Sequence, residues 1–478
     1  MPFELTEQQE KAILMVQNNN LSVLIGGPGT GKTTTTRAII KWAKEEDMRV
    51  LQAAPTGKAA KRMMEATGKF ASTIHSMLGC EMGEDGKFRF IHNEEKPLSA
   101  DLIILDEISM ITVDLMFHVL RAIKPYGTKV LLIGDQYQLP SVGPGAVLRD
   151  IIDSKLIPVT ELDKIHRNTG YIVEACHMIK HGIVYNPYRM LDFQKENPIN
   201  LIHIECFSSS DIMKTIEKLV LDVLPAKKLP GREDGFNSLE DIQVISPVNK
   251  KGNLSCQGIN RVLRDALNKP DVDDSIEQHE HEQAFLSRRK AGEESETKAP
   301  LLFRVGDKVI QTKNEQTNGM IFAIDEDGSM IPDKNDPTGH KRVNAPVYIV
   351  NGDIGFVVEL DEDRKNMVVR FSDPTRFVKI GRKNNDLLHA YCITCHKFQG
   401  SEAPAIIIPV DKAYSYIMYN AWIYTAISRA KIVCITVGSF QVIDRAIKNI
   451  RPNNRITRLK ERLGEKHRAV LVDQFGDL

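Results

Sequence analysis

The segment Gly26-Gly-Pro-Gly-Thr-Gly31-Lys32-Thr33 has the residue types and spacing to hold a polyphosphate. It fits G-x-x-x-x-G-K-[ST], follows the apolar run at 21–25 and precedes a helical pattern at 34–44. Glycines at 27, 29 and 31 let backbone N–H groups turn inward around phosphate oxygens, with Thr30 and Thr34 beside them, and the helix N-terminus adds partial positive charge. Lys32 is expected to reach the β- and γ-phosphates, and the Thr33 hydroxyl to ligate Mg²⁺. A glycine-rich turn without a ligand would not account for the Lys-Thr pair that closes it.

Such a loop needs an acidic partner, and the aliphatic run at 102–105 ends in Asp106-Glu107. Asp106 is expected to hold Mg²⁺ through water, and Glu107 to orient or deprotonate an attacking water. A third strand ends in Gly134-Asp-Gln-Tyr-Gln138-Leu-Pro140, where Gln138 can donate to a γ-phosphate and pass its loss to the next loop. By itself that segment reads equally as a polar loop after a strand.

Elements that position these residues are legible from apolar runs of strand length at 21–25, 50–54, 102–105 and 130–133. Each is followed by turn residues and a helical pattern, the pattern of parallel βαβ units buried on both faces. Residues 1–78 and 99–158 thus read as one nucleotide-binding core, with a β-hairpin inserted at 79–98. A second alternating core is expected over 159–299 and 387–450, with strands at 242–246, 405–409 and 432–437. Within it, the charge-dense 269–299 reads as a solvated or mobile excursion, and its His-Glu-His-Glu cluster as no metal site. Short β-rich runs over 300–386 suggest a small barrel. A basic tail follows at 451–478, helical from about 456 to 465.

The chain has 478 residues, 42% of them hydrophobic and 26% charged, which suits a globular multidomain protein rather than a disordered one. Lys plus Arg and Asp plus Glu are both 63, so any nucleic-acid site must be local. No apolar run of membrane-span length and no signal peptide is visible, and seven scattered cysteines suit reduced thiols. A cytoplasmic protein without membrane contact is expected. Cys392, Cys395 and His396 have the spacing of a c-type haem attachment but fall inside another motif.

Taken in order, the motifs carry a family resemblance. They are Leu5-Thr-Glu-Gln-Gln9, the phosphate-binding loop, Ala54-Pro-Thr-Gly-Lys-Ala-Ala60, Ser72-Thr-Ile-His75, Asp106-Glu107, Gly134 to Pro140, and Ile165-His-Arg167. Further on come Thr394-Cys-His-Lys-Phe-Gln-Gly-Ser-Glu402 and Tyr424-Thr-Ala-Ile-Ser-Arg429-Ala-Lys431. The chain resembles the RecD-like DNA helicases of superfamily 1, the branch that moves 5′ to 3′, over nearly its whole length. It begins at the first motif, so the long N-terminal extension of many relatives is expected to be missing. Where the family usually has Gln and commonly Ser, this sequence has Asn168 and Phe398.

The resemblance implies an α/β fold with two RecA-like P-loop cores, an inserted pin hairpin and an inserted SH3-like β-barrel. It implies ATP and Mg²⁺ as cofactors, Gln9 as the reader of adenine, and Arg167 and Arg429 as arginines that reach the γ-phosphate across the cleft. Gly400 and Glu402 match a segment between nucleotide and DNA. Pro55, Thr56, Thr73, His75, Thr394 and His396 match positions lining a single-strand channel, with Phe88 or Phe90 of the hairpin meeting a base at the duplex junction. For the two phenylalanines, packing of the hairpin on its own domain remains an equal reading.

The expected partners are single-stranded DNA and its junctions with duplex, with replication or recombination proteins beside them, the helicase itself acting as a monomer. An RNA helicase, a translocase that strips proteins, and a nucleotide-gated binding module stay open as alternatives.

Overall fold

The computed structural model describes residues 5–82, 88–124, 126–163, 170–187, 190–192, 198–227, 234–290, 302–323, 331–336, 338–372, 375–382, 386–450, 455 and 457–465. The chain opens with α1 (Glu7–Asn18), whose N-cap Thr6 forms a capping box with Gln9. Then follow β1 (Leu21–Gly26), α2 (Lys32–Glu45), β2 (Val50–Ala54), α3 (Gly57–Thr67), β3 (Ser72–Thr73) and the single turn α4 (Ile74–Met77). The hairpin β4 (Cys80–Met82) and β5 (Phe88–Phe90) precedes β6 (Leu102–Leu105), α5 (Val113–Arg121), β7 (Lys129–Gly134), α6 (Val147–Ser154) and β8 (Val159–Leu162).

These strands form a parallel sheet in the order β3-β2-β6-β7-β1-β8. Alternate residues face opposite layers: Leu102 and Ile104 join one apolar cluster, Ile103 and Leu105 the other. The continuous apolar runs are therefore strands covered on both sides. One expected boundary needs correction. Residues 159–162, assigned above to the second core, are β8 and pair with β1 as the edge of the first sheet.

The second core contains α7 (Tyr171–Lys180), β9 (Leu201–Glu205), α8 (Ser209–Lys218), β10 (Ile242–Ser246) and α9 (Cys256–Leu267). Next comes α10 (Val272–Lys290), a helix where a solvated excursion was expected. It docks on the barrel: Glu277 pairs with Arg364 at 3.0 Å and with Arg382 at 2.6 Å, and Phe285 is buried. Its charge density, read above as a sign of mobility, serves cross-element ion pairs.

The barrel strands are β11 (Lys308–Gln311), β12 (Glu315–Phe322), β13 (Arg342–Ile349), β14 (Ile354–Leu360), β15 (Asn366–Phe371), β16 (Arg376–Gly381) and β17 (Leu387–His389). They form one antiparallel sheet, in the order β13-β12-β16-β15-β14-β11-β17, with its own apolar core. The chain then returns to the second core through β18 (Cys392–Thr394), β19 (Ala403–Val410), α11 (Asn420–Ile427), β20 (Ala430–Gly438) and α12 (Phe440–Lys448). That sheet is parallel, in the order β18-β10-β19-β20-β9. Among the described residues no helix is long and apolar enough to cross a membrane.

Candidate nucleotide and nucleic-acid site

The phosphate-binding loop leaves β1 at Gly26 and enters α2 at Lys32. Gly29 and Gly31 sit at φ 75° and 89°, in the left-handed region that a Cβ disfavours. Gly31 precedes the helix without capping it by a side chain, so the first amides of α2 stay available to an anion. Lys32 folds back, its Nζ donating to the carbonyls of Gly26 (2.5 Å) and Gly27 (2.9 Å). The Thr30 hydroxyl donates to the Gly27 carbonyl, Thr33 is exposed and Thr34 is half-buried. Lysine and loop thus stand in a self-satisfied arrangement that a polyphosphate can replace, oxygen for oxygen.

Asp106 and Glu107 lie at the carboxyl end of β6, two strands from the loop. Burial, then the neighbouring Glu107, push the Asp106 carboxyl up to about 6. Its Oδ1 accepts from the Glu107 N–H at 2.7 Å, and Glu107 itself is left-handed at φ 53°. Strain of this kind at a non-glycine position tends to be kept where a side chain must be aimed. A carboxylate and a hydroxyl, Asp106 and Thr33, are the hard oxygen donors that suit Mg²⁺. These two would hold the metal.

From the second core three groups reach over this edge. The Tyr424 hydroxyl donates to Asp135 Oδ2 at 2.8 Å, and a Cβ built on Gly27 would meet the same hydroxyl at 3.0 Å. Tyr424 therefore lies directly over the phosphate-binding loop. Thr425 Oγ1 accepts from the Leu139 N–H at 2.8 Å, and Gln399 Nε2 donates to the Leu139 carbonyl at 3.0 Å. Leu139, fully buried, belongs to the apolar cluster of the second core although its chain belongs to the first. Gln138 sits between these anchors. Its Nε2 donates to Asp135 at 3.4 Å, while its Oε1 is buried with no hydrogen-bond partner among the described residues.

A second bridge joins α3 to the segment after β18. Arg62 donates to Glu402 Oε1 at 2.6 Å and to the Gly400 carbonyl at 3.3 Å. Burial works against its charge, but Glu402, Glu107 and Asp106 more than offset this and raise its pKa above the ordinary value. Arg62 thus connects the Asp106–Glu107 pair with the second core. Arg429 is buried, its Nε donating to the Thr425 carbonyl at 3.3 Å. Arg167 lies outside the described residues.

Of the expected strand-binding residues, Thr56 stands at the seam between cores, against Gly400. Thr56 caps α3 and accepts from the Ala59 N–H, with its hydroxyl 3.2 Å from where a Gly400 Cβ would stand. Pro55 is half-buried beside it. Thr73 is buried and caps α4, Thr394 accepts from the Lys397 N–H, and His75 and His396 are exposed. Phe398, standing where a hydroxyl was expected, is buried beneath Lys58, whose Nζ lies 5.4 Å from its ring. Of the two hairpin phenylalanines, the Phe88 side chain lies outside the described residues. Phe90 packs on its own domain, 4.6 Å from His118 and 6.0 Å from His75 between ring centroids. Gln9 likewise has a local role: its Oε1 accepts from the Thr6 N–H at 3.0 Å.

Sequence reasoning missed Asp135, Tyr424, Thr425, Gln399 and Arg62. Tyr424, Thr425, Gln399 and Asp135 stand inside motifs already singled out, so their positions were visible and only their partners were not. Arg62 gave no signal, because its partner Glu402 is 340 residues away.

A phosphate-binding loop and paired carboxylates at the carboxyl edge of one parallel sheet, faced by a second parallel-sheet core, define a P-loop NTPase with two RecA-like cores. Three family matches run along the chain: an AAA domain over residues 9–144, the SH3 domain of ATP-dependent RecD-like DNA helicases over 280–371, and a UvrD-like helicase C-terminal domain over 389–437. In all three matches and in its relatives the chain is similar to RecD-like helicases of superfamily 1. The ATP-dependent RecD2 DNA helicase of Deinococcus radiodurans is 30% identical over 437 residues, 91% of this chain and 49% of that protein. The RecD subunit of the RecBCD enzyme of Mycolicibacterium smegmatis is 26% identical over 486 residues, 96% of this chain and 75% of the relative. The chain thus spans about half the length of the first and three quarters of the second. A crystal structure of Bacteroides Pif1 bound to ssDNA aligns over 99% of this chain and 98% of its own, at 19% identity and a TM-score of 0.45.

Proposed function

We propose that the chain is an ATP-driven DNA helicase that moves 5′ to 3′ on single-stranded DNA and opens duplexes ahead of it. One observation carries this reading: the γ-phosphate edge of the first core is bridged to the second by Tyr424 to Asp135 and Arg62 to Glu402, and so a change at the nucleotide is a change at the seam. Lys32 leaves the Gly26 and Gly27 carbonyls for the β- and γ-phosphates of ATP. Glu107 orients the attacking water. Gln138 Nε2, which here donates to Asp135, turns to donate to the γ-phosphate, and Arg429 and Arg167 stabilise the charge that develops there. Bound Mg²⁺, held by Thr33 and Asp106, would neutralise phosphate charge.

Closure and opening of the two cores alternate the grip of Thr56, Pro55, Thr73 and His75 on one side and Thr394 and His396 on the other. Differential affinity in the two states converts turnover into steps. Hydroxyls and backbone amides suit phosphate contacts that ignore base identity. Seven unpaired cysteines fit a reducing, cytosolic setting for a protein that works as a monomer beside replication or recombination proteins.

The test is unwinding of 5′-tailed and 3′-tailed duplexes, with DNA and RNA strands, by the wild type and by Lys32→Ala. The reading expects ATP-dependent opening of the 5′-tailed DNA alone, abolished by the substitution. Opening only from 3′ tails, preference for RNA, or activity that survives Lys32→Ala would sink it.

A further inference from the structure

The loop after the γ-phosphate sensor is built around a cluster of backbone oxygens. Ser141-Val-Gly143-Pro-Gly145 turns on two left-handed glycines, Gly143 at φ 142° and Gly145 at φ 97°, against the start of α5. A Cβ on Gly145 would meet Val113 at 2.8 Å and one on Gly143 would meet Thr112 at 2.8 Å. The turn aims the carbonyls of Ser141, Gly143 and Gly145, with the Ser141 hydroxyl, toward one point. Converging oxygens with no donor repel one another and lose hydrogen bonds they would have kept in water.

Arg455 fills that point. Its Nη1 contacts Ser141 Oγ at 3.0 Å and donates to the carbonyls of Gly143 (2.6 Å) and Gly145 (2.8 Å), while Nη2 donates to the Ser141 carbonyl at 2.6 Å. A planar guanidinium has the donors for four such contacts, and a lysine ammonium has three. Two residues on, the Thr457 hydroxyl donates to Asp150 Oδ2 at 2.7 Å on α6, and Leu459 packs on the apolar cluster of the first core. The chain has left the second core at the end of α12 and returned to the first.

We infer that Arg455 is a positioning residue for the γ-phosphate sensor: it fixes the 141–145 loop, and thereby the far end of the segment whose near end is held by Tyr424 and Thr425. Gln138 lies three residues before the loop, with the Leu139 anchor between them, so the tail steadies its segment from the C-terminal side while the cleft holds it directly. This inference rests on the helicase reading only for its catalytic consequence. The physical hold on the loop stands apart from it.

The experiment therefore has two arms, on the full chain and on Arg455→Ala and Arg455→Lys. In the first, amide hydrogen exchange is measured without nucleotide. Arg455→Ala is expected to speed exchange in peptides covering 136–146 by about tenfold while the β1 and β10 peptides keep their protection. Unchanged exchange over 136–146 overturns the inference. In the second, single-strand-stimulated ATP turnover is followed. Arg455→Ala should lower kcat by about tenfold with KM for ATP within about twofold, Arg455→Lys should recover part of the loss, and added guanidinium at low millimolar concentration should restore part of it to the alanine variant. Wild-type kcat in Arg455→Ala, or equal losses in kcat and ATP binding, overturn the catalytic part. If the wild type itself shows no strand-stimulated turnover, the helicase reading falls, and the exchange arm still decides the hold.

Discussion

Tyr424 donates its hydroxyl to Asp135 across the boundary between the two cores, at 2.8 Å and away from solvent. Burial raises the pKa of both groups, and the bond joins a neutral phenol to a buried carboxyl whose charge the nearby Lys32 also favours. Asp135 also accepts from the Tyr137 N–H at 3.0 Å, which ties the same carboxylate to the turn that presents Gln138.

Replacing Tyr424 by Phe keeps the ring and removes the donor. The buried carboxylate then loses a hydrogen bond worth about 1–3 kcal/mol, and single-strand-stimulated kcat is expected to fall about tenfold. Steady-state ATP turnover with and without oligonucleotide measures it. Unchanged turnover together with an unchanged melting temperature would mean that the bond does not couple the cores.

The barrel meets the first core closely at Gly57. A Cβ on Gly57, at the start of α3, would lie 2.2 Å from Val350 Cβ. Gly57→Ala should therefore push the barrel off α3 and cost about 1–3 kcal/mol, with unwinding impaired more than ATP turnover. Val350→Gly should restore much of the loss in the double variant, because it removes the clashing Cβ along with both of its methyls. Failure of this compensation in thermal melting and unwinding assays would show that the seat lies elsewhere.

Lys308 supplies a pH dependence with a definite sign. It is buried in an apolar pocket beside Val244, Leu263 and Tyr391, with Nζ donating to the Ile242 carbonyl at 3.1 Å, and burial lowers its pKa to about 7. The folded value lies below that of the free side chain, so the unfolded chain binds more protons between the two. Stability from this group is thus full above the ordinary lysine range and lost as pH falls toward 7. Lys308→Met should flatten that slope and raise stability near neutral pH by about 2–4 kcal/mol. Denaturant melts at pH 7 and 9 test it, and parallel slopes in wild type and variant would refute it.

How much of this was legible beforehand differs by element for physical reasons. The strands at 50–54, 102–105 and 242–246 match β2, β6 and β10 because buried parallel strands are mostly apolar, β6 without a break and β2 and β10 around the buried Gln52 and Gln243. The strand β9 was missed: Leu201-Ile-His-Ile-Glu205 mixes in polar residues because it is an edge strand, half-exposed over Ile202–Ile204. The residues of the phosphate-binding loop and the Asp106-Glu107 pair were readable from local spacing, since each acts within a few residues of its neighbours. Leu139 was not, because a leucine after a polar turn gives no hint that it will be buried in another domain. Gln9 illustrates the opposite case. Thr6 and Gln9 carry a capping-box spacing that is readable locally, and the side chain closes that cap here.

The hold of Arg455 on Ser141 spans 314 residues of sequence. At ordinary rates of protein synthesis the carbonyl cluster of the 141–145 loop emerges roughly 15–60 s before the guanidinium that satisfies it. During that interval the first core can form its sheet, since β8 is already made, but its sensor loop lacks one support. Completion of the motor is thus ordered in time: a ribosome stalled within the second core or the barrel leaves a nucleotide-binding half whose trigger is unbraced.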